Sequence, residues 1–169
     1  MGDTPPSGRT RTFSWGDPLV TAAAARRLDG LAFLQAIVAG EYPQPPMAAT
    51  LGFALVEVER GRAVFEVEPQ EFHYNPIGTA HGGLAATLLD SALGCAVHSQ
   101  LAAGVGYTTL EFKVNLTRAI TRETGRLRAE GRVIHGGRTT AMADASLRDA
   151  AGKLYAHGTT TCLIMQPDA

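Results

Sequence analysis

The most apolar segment of the chain, residues 82–101, reads GGLAATLLDSALGCAVHSQL. Its leucines, alanines and valine occur on every side of a helical projection, and Asp90 is its single formal charge. A helix that is apolar all round is buried all round, so the segment predicts a central helix covered by the rest of the fold. The length also suits a membrane span. The charge at the midpoint and the polar residues His98, Ser99 and Gln100 argue against one.

The carboxylate of Asp90 needs an explanation, because burying an unpaired charge is costly. One explanation is structural: a neighbouring arginine or backbone donors satisfy the side chain. The other is functional. His81-Gly82-Gly83 precedes the apolar run, so the unpaired first N–H groups and the positive end of the helix dipole are open to a developing negative charge. Gly94 would clear space one turn beyond Asp90. An oxyanion site and a carboxylate on one helix are parts that acyl transfer requires.

The flanking sequence predicts an antiparallel sheet. Apolar and polar residues alternate in two segments before the central helix and in four after it. These segments lie at 56–59, 63–68, 110–116, 127–133, 141–147 and 154–165. Leu110, Phe112, Val114 and Leu116 are expected to share one apolar face. The predicted fold class is therefore α+β, an antiparallel sheet wrapped around one central helix, with an extra N-terminal helix over Ala22–Val38.

Residues 75–90 read NPIGTAHGGLAATLLD. This pattern, Asn-x5-His-Gly-Gly-x6-Asp, resembles the signature of hotdog-fold acyl-CoA thioesterases of the PaaI-like (phenylacetic acid degradation) family, near the acyl-CoA thioesterase 13 and 4-hydroxybenzoyl-CoA thioesterase groups. The similarity runs from about Ala48 to Met165, and the order of strands and helix matches throughout. We therefore expect a hotdog thioesterase domain at 48–166, a disordered arm at 1–17, and an N-terminal helix and linker at 18–47.

The resemblance implies a role for several residues. Asp90 falls on the family's catalytic carboxylate, acting as general base or nucleophile, and Gly82 on the residue whose N–H polarises the thioester carbonyl. Asn75 occupies the position of a residue that helps to orient the thioester or the water. Thr108 aligns loosely with a hydroxyl residue near the attacking water. One nearby branch has a threonine one turn after its carboxylate, where this chain has Gly94, so that contact is absent here.

Contacts with an acyl-CoA substrate are expected at His81, Gly83, Gly94, Thr108 and Arg138. His81 is better explained as a capping or packed residue than as a catalytic one. Residues 135–138, His-Gly-Gly-Arg, could hold a CoA phosphate through backbone donors and Arg138, and a plain hairpin loop explains them equally well. The histidines show no metal spacing, so neither a metal nor a cofactor is expected.

The resemblance also implies a homo-oligomer. In the family two protomers join their sheets edge to edge, and each site combines the helix of one chain with the loop of the other. Asp90 and Asn75 would then face each other across a subunit boundary. Dimers of this kind often pair again into tetramers, and the sequence leaves the choice between dimer and tetramer open.

Composition excludes several classes. The net charge of −1 gives no basic field for nucleic acid or an anionic membrane. Cys95 and Cys162 cannot form a disulfide framework, and the N-terminus lacks the apolar core of a signal peptide, so we expect a cytoplasmic protein. No Gly-x-Ser-x-Gly elbow indicates a serine triad.

Two other functions compete with hydrolysis. One is a non-hydrolytic acyl-CoA-binding hotdog module, against which stand the retention of Asp90 and the lack of a helix-turn-helix extension. The other is a hydratase, which would need an Asp-x4-His pair; Cys95 occupies the histidine position here.

Overall fold

A six-stranded antiparallel sheet curves around one long helix in the computed structural model, which describes residues 8–167. The helices are α1 Pro18–Arg27, α2 Gly30–Val38, α3 Pro46–Leu51 and α4 Gly82–His98. The strands are β1 Phe53–Glu59, β2 Arg62–Val67, β3 Gly106–Leu116, β4 Leu127–Gly136, β5 Thr140–Asp149 and β6 Leu154–Met165. Their order in the sheet is β1-β2-β4-β5-β6-β3, with every pairing antiparallel. The predicted α+β arrangement is confirmed.

Helix α4 is the centre of the core, as its composition predicts. Leu88, Leu89 and Leu93 are fully buried, and burying each such side chain contributes about 1.5–3 kcal/mol. The sheet approaches the helix backbone closely at Gly131 of β4, where a Cβ atom would lie 2.3 Å from the carbonyl oxygen of Ala92. Among the described helices none is long and apolar enough to cross a membrane.

Strand β3 lies at one edge of the sheet and contains a bulge. Thr109 pairs with Cys162 and Glu111 with Thr161, so that Leu110 is the extra residue. A bulge shifts the alternation of side chains between the two faces by one residue. Thr109 therefore lies on the same face of the sheet as Phe112, and Glu111 lies on the opposite face. The prediction that Leu110 shares a face with Phe112, Val114 and Leu116 is therefore wrong.

The apolar residues of this edge are largely uncovered in the single chain. Leu110 is 58% exposed, Phe112 40% and Leu116 57%. A sheet edge with apolar side chains is a ready surface for another strand. This edge is the feature of the fold that bears most directly on assembly.

The N-terminal region contains more helix than the sequence pattern predicts. The single helix expected over Ala22–Val38 is two helices, because Leu28 is extended and the Asp29 side chain accepts the N–H of Ala32 as a new N-cap. A third helix, α3, replaces part of the expected linker. It has proline in its first turn, a favourable position, and ends at Gly52 in the left-handed conformation with φ 72°.

The described part of the N-terminal arm, Gly8–Asp17, has no helix or strand but contacts the body of the protein. The Arg11 guanidinium donates to the carbonyl oxygens of Ala49 and Thr50 and lies 4.0 Å from the centroid of the Phe72 ring. Residues 1–7 of the predicted disordered arm lie outside the described residues. The predicted boundary at 47/48 falls inside α3, and the division into arm, linker and domain stays a prediction.

We expect Gly131→Ala to lower the free energy of unfolding by about 1–3 kcal/mol. The new methyl group would collide with the helix backbone at Ala92, which cannot rotate away. Gly8→Ala is the control, because its Cβ meets no atom within 4 Å. Urea unfolding of the two variants measures the difference, and an unchanged midpoint for Gly131→Ala would contradict this account of the helix–sheet contact.

Candidate active site

The loop before α4 is organised by Asn75. Its side-chain Oδ1 accepts the N–H groups of Ile77 (3.0 Å) and Thr79 (3.2 Å), and its Nδ2 donates to Thr79 Oγ1 at 3.0 Å. Gly78 completes the turn with φ 84°, a conformation that favours glycine. The Asn75 amide thus holds the loop in shape, and its second Nδ2 hydrogen has no acceptor in the described part of the chain.

The first turn of α4 leaves one donor open. His81 is the N-cap, and its Nδ1 accepts the N–H of Gly83 at 2.9 Å. The carbonyl oxygen of His81 accepts the N–H of Leu84. Between residues 8 and 167 no acceptor takes the N–H of Gly82. This supports a capping role for His81, and it means that the Gly83 N–H is already engaged.

The open N–H of Gly82 borders a cleft of about 360 Å³. The cleft lies between the Asn75 loop, the start of α4 and the segment after β3. It is lined by Asn75, Thr79, Ala80, His81, Gly82, Ala85, Leu116, Thr117, Arg118, Ala119 and Ile120. Three of the predicted site residues, Asn75, His81 and Gly82, therefore meet within one chain.

Asp90 lies in the middle of α4, partly buried and facing β3. Thr109 Oγ1 donates to Asp90 Oδ1 at 3.1 Å. In the described residues no arginine or lysine forms an ion pair with Asp90, and no second hydrogen bond reaches its carboxylate. Within one chain, therefore, neither an arginine nor a backbone donor of the described residues satisfies the Asp90 side chain. One oxygen is held by a hydroxyl group and the other is available.

The hydroxyl residue beside the carboxylate is Thr109, whereas the sequence pointed to Thr108. Thr108 is exposed, and adjacent residues of a strand point to opposite faces of the sheet. A shift of one residue in an alignment therefore exchanges a residue of the site for one on the outer surface. The sequence alone does not show which of the two threonines, Thr108 or Thr109, faces Asp90, because that depends on the register of β3.

The space that Gly94 clears is occupied within the chain. A Cβ atom at Gly94 would lie 2.8 Å from Tyr107 Oη, so the tyrosine ring lies against the helix backbone where substrate was expected. Burial holds the pKa of the Tyr107 hydroxyl well above its ordinary value, with smaller contributions from Cys95, Cys162 and Asp90. The phenol is therefore neutral at physiological pH. Sequence reasoning missed Tyr107, because nothing local marks it as a neighbour of Gly94.

Cys95 is unsuited to nucleophilic chemistry although it lies close to Asp90 in the chain. Burial raises the pKa of its thiol to about 12, and the Asp90 carboxylate adds to the rise. Since the thiolate is the nucleophile, this thiol is inert at neutral pH. The described residues contain no group of three or more His, Cys, Asp or Glu side chains that could hold a metal ion.

The two halves of the predicted site are separated along α4. Gly82 and Asp90 are eight residues apart in one helix, which places them about 12 Å apart along its axis. A single carbonyl group cannot contact both at hydrogen-bonding distance. One chain therefore supplies a donor in one place and a carboxylate in another.

Arg138 lies far from the Gly82 cleft within one chain. It is in the β4–β5 hairpin, where the backbone approaches the C-terminal end of α4: a Cβ atom at Gly136 would lie 2.8 Å from Gln100 Oε1. Arg118 borders the cleft instead, with its Nη1 donating to the carbonyl oxygen of Leu154 at 2.6 Å. The predicted phosphate contact of Arg138 stays a prediction.

Comparison with known proteins identifies sequences that are similar to this chain. A family model described as the Thioesterase superfamily matches residues 77–156. The chain is 33% identical over 109 residues to acyl-coenzyme A thioesterase 13 of Homo sapiens, covering 63% of this chain and 76% of that protein. It is 28% identical over 105 residues to 1,4-dihydroxy-2-naphthoyl-CoA hydrolase of Listeria monocytogenes, covering 62% of this chain and 84% of that protein.

Solved structures with a similar fold were also found. A Streptococcus mutans protein bound to acetyl-CoA is 28% identical with a TM-score of 0.62, covering 69% of this chain and 91% of that one. The Escherichia coli PaaI protein, from the phenylacetic acid degradation operon, has a TM-score of 0.70 at 23% identity, covering 83% of this chain and 97% of that one. At this identity the second likeness shows the fold alone.

Proposed function

The chain belongs to the thioesterase superfamily and is a thioester hydrolase, and on that premise we propose that it cleaves acyl- or aryl-CoA to free acid and CoA with Asp90 and Gly82 as its catalytic groups. The observation that carries the proposal is the state of Asp90. Its carboxylate lies on an apolar helix with one hydroxyl partner and no ion pair among the described residues. A structural carboxylate in such a place would be fully satisfied.

Hydrolysis adds water across the C–S bond, and Asp90 has two ways to assist. As a general base it accepts a proton from water while the oxygen adds to the thioester carbon. As a nucleophile its oxygen attacks that carbon to give a mixed anhydride, which water then cleaves. In both routes the C–S bond breaks and CoA leaves as the thiol after protonation. The Thr109 hydrogen bond holds one oxygen and leaves the other without a hydrogen-bond partner in the described part of the chain.

The carbonyl oxygen gains negative charge in either route. The open N–H of Gly82, at the positive end of the α4 dipole, is suited to stabilise it. Asn75, whose amide holds the preceding loop in shape, lines the same cleft as Gly82. We propose that the remaining Nδ2 hydrogen of Asn75 orients the thioester or the water.

Separation of Gly82 from Asp90 by about 12 Å along α4 leads to a second part of the proposal. Each active site would combine Asp90 of one protomer with the Gly82 N–H of the other, in a homodimer or a dimer of dimers. The exposed apolar edge of β3, with Leu110, Phe112 and Leu116, is the surface by which two protomers would join. A cytoplasmic location stays a prediction from the sequence.

We expect Asp90→Asn to retain the fold and lower kcat by about 100-fold or more, because an amide neither accepts the proton nor attacks at neutral pH. Substrate affinity should change little. Asp144→Asn is the control, since Asp144 is on β5 and its one close contact with a basic side chain of the described residues is His157 Nε2 at 4.0 Å. Steady-state hydrolysis of a panel of acyl-CoAs measures both. An Asp90→Asn enzyme as fast as an active parent would show that another group performs the catalysis, and a parent that hydrolyses none of the acyl-CoAs would point to a binding module.

The N–H of Gly82 can be removed without breaking the helix. Gly82 is the first residue of α4, where proline is well tolerated, and His81 already has the extended ψ of 137° that a residue before proline needs. We expect Gly82→Pro to lower kcat by about 100- to 1000-fold. Gly82→Ala adds a Cβ near the flexible end of Leu116 but keeps the N–H, so it should retain most activity. Equal losses in the two variants would contradict the role of the N–H.

The shared site is tested by mixing. If protomers exchange at random after co-refolding, half of the dimers formed from Asp90→Asn and Gly82→Pro chains are mixed, and each mixed dimer contains one intact site. We expect roughly a quarter of the parent activity to return from two inactive preparations. Sites built within single chains would give no recovery, and light scattering on the same samples reports whether a dimer forms.

A further inference from the structure

Another cleft, of about 380 Å³, lies between the N-terminal arm and the two short 3₁₀ helices Glu71–His73 and Arg122–Thr124. We call it the arginine cleft, and it is lined by Arg9, Thr10, Arg11, Gln70, Glu71, Phe72 and Arg122. Six of these seven residues lie outside residues 77–156, the part of the chain that the family model matches. The family model therefore does not account for this cleft.

The arginine cleft carries an excess of positive charge. Three arginines and a single glutamate line it, and the glutamate, Glu71, accepts a hydrogen bond from Arg9 Nε at 2.7 Å. In the described chain the Arg11 guanidinium donates to carbonyl oxygens at the end of α3 and not to a carboxylate. Arg122 forms neither an ion pair nor a side-chain hydrogen bond with any other described residue. Two of the three positive charges are thus not neutralised by a carboxylate of this part of the chain.

The wall of the cleft that the arm supplies is held in place by Arg11. Its Cζ atom lies 4.0 Å from the ring centroid of Phe72 and 5.1 Å from that of Phe13, and its hydrogen bonds to the end of α3 fix the guanidinium. Phe72 is still 49% exposed. An exposed aromatic ring beside arginines suits a nucleotide, because a base stacks on the ring and phosphate groups pair with the guanidinium groups.

The arginine cleft borders the cleft that contains the open N–H of Gly82. Ile120 lines the Gly82 cleft and Arg122 lines the arginine cleft, and two residues of chain span at most about 7 Å. Two hydrogen bonds fix the segment between the clefts. The N–H of Ala80 donates to the carbonyl oxygen of Ile120 at 2.8 Å, and the N–H of Arg122 donates to Tyr74 Oη at 2.8 Å. A molecule with a thioester at one end and phosphate groups at the other suits two neighbouring clefts of this kind.

We propose that the arginine cleft binds the phosphate groups of a nucleotide, with Arg122 pairing with a phosphate and Phe72 supporting the base. Arginine is suited to this ligand because its planar guanidinium binds phosphate through two parallel hydrogen bonds, and a cleft with one sign of charge concentrates the field on an anion. Two sources offer this chemistry: the nucleotide end of CoA and a free nucleotide. Binding itself is independent of Asp90, whereas its assignment to CoA rests on the proposed function.

Calorimetric titration of the full chain with ADP measures the binding, and adenosine is the matched ligand without phosphate. We expect adenosine to bind at least about tenfold more weakly than ADP, and Arg122→Gln to raise the Kd for ADP by about five- to tenfold. The variant keeps the backbone N–H that donates to Tyr74, so it should fold. Arg27→Gln is the control, because it removes the same charge from an exposed residue of α1 outside the cleft. It should leave the Kd within about twofold of the parent.

Glu71→Gln tests the same cleft in the opposite direction. It removes the carboxylate that competes with phosphate for Arg9, so the Kd for ADP should fall by about threefold or more at low salt. Glu41→Gln, at another exposed position, is its control. A parent that does not bind ADP, a Kd for adenosine equal to that for ADP, or an unchanged Kd for ADP in Arg122→Gln overturns the inference.

Steady-state kinetics separates the two sources of the nucleotide. The substrates are the acyl-CoA that the parent hydrolyses best and the S-acyl pantetheine with the same acyl group, which lacks the nucleotide. If the phosphate groups are those of CoA, Arg122→Gln raises KM for the acyl-CoA by about fivefold or more, with kcat little changed and KM for the pantetheine thioester unaffected. If the ligand is a free nucleotide, both KM values stay at the parent level while the Kd for ADP rises.

Failure of this inference is distinguishable from failure of the proposed function, because ADP binding needs no turnover and can be measured in Asp90→Asn. Hydrolysis that depends on Asp90 in a chain that does not bind ADP overturns the nucleotide site and leaves the proposed function intact. ADP binding that weakens in Arg122→Gln, in a chain that hydrolyses no acyl-CoA, supports the nucleotide site and contradicts the proposed function.

Discussion

The burial of α4 inside the curved sheet is the constraint on which the rest of the structure depends. A helix with Leu88, Leu89 and Leu93 fully buried needs a covering layer, and the sheet supplies most of it, with backbone contact between Gly131 and Ala92. Protein interiors are packed as tightly as organic crystals. The side chains of the sheet therefore determine what each polar group of this helix contacts. Asp90 is the only charged group so placed.

The partner of Asp90 determines what the carboxylate can do. An arginine would neutralise the charge and hold both oxygens in a strong, often bidentate pair. The threonine hydroxyl of Thr109 holds one oxygen and adds no charge. Several arginines of the sheet pair with glutamates instead, as Arg62 and Arg128 do with Glu57. The ion pairs thus lie on the sheet, whereas the Asp90 carboxylate on the central helix is held only by a hydroxyl group. This arrangement favours a catalytic role for Asp90 over a structural one.

Chemistry and assembly are linked through β3. The same strand supplies Thr109 to Asp90, places Tyr107 against Gly94 and leaves its apolar edge uncovered. A protomer that pairs through this edge would order the residues of β3 that contact α4, and it would bring a second α4 near the first. Because Gly82 and Asp90 cannot reach one carbonyl within a chain, the proposed activity depends on an edge that is costly to leave exposed.

The sequence by itself determined the class of fold, the central helix and the identity of the charged residue within it. These follow from local patterns: an apolar run with one charge, alternation of period two, and a His-Gly-Gly start. Asn75 and Gly82 were also recognisable, because both belong to the motif at residues 75–90 that resembles the thioesterase signature. The break of the N-terminal helix at Asp29 was readable in principle from a good N-cap residue, but a continuous apolar pattern concealed it.

Only the tertiary structure decided which hydroxyl reaches Asp90, what fills the space at Gly94 and which arginine borders the cleft. Each of these depends on the register of a strand against a helix far away in the chain. A bulge of one residue at Leu110 exchanges the two faces of β3, and nothing local to Thr108 and Thr109 distinguishes them. Tyr107 and Gly94 come together for the same reason: the sheet must curve around α4, and long-range packing sets the contacts made where the two surfaces meet.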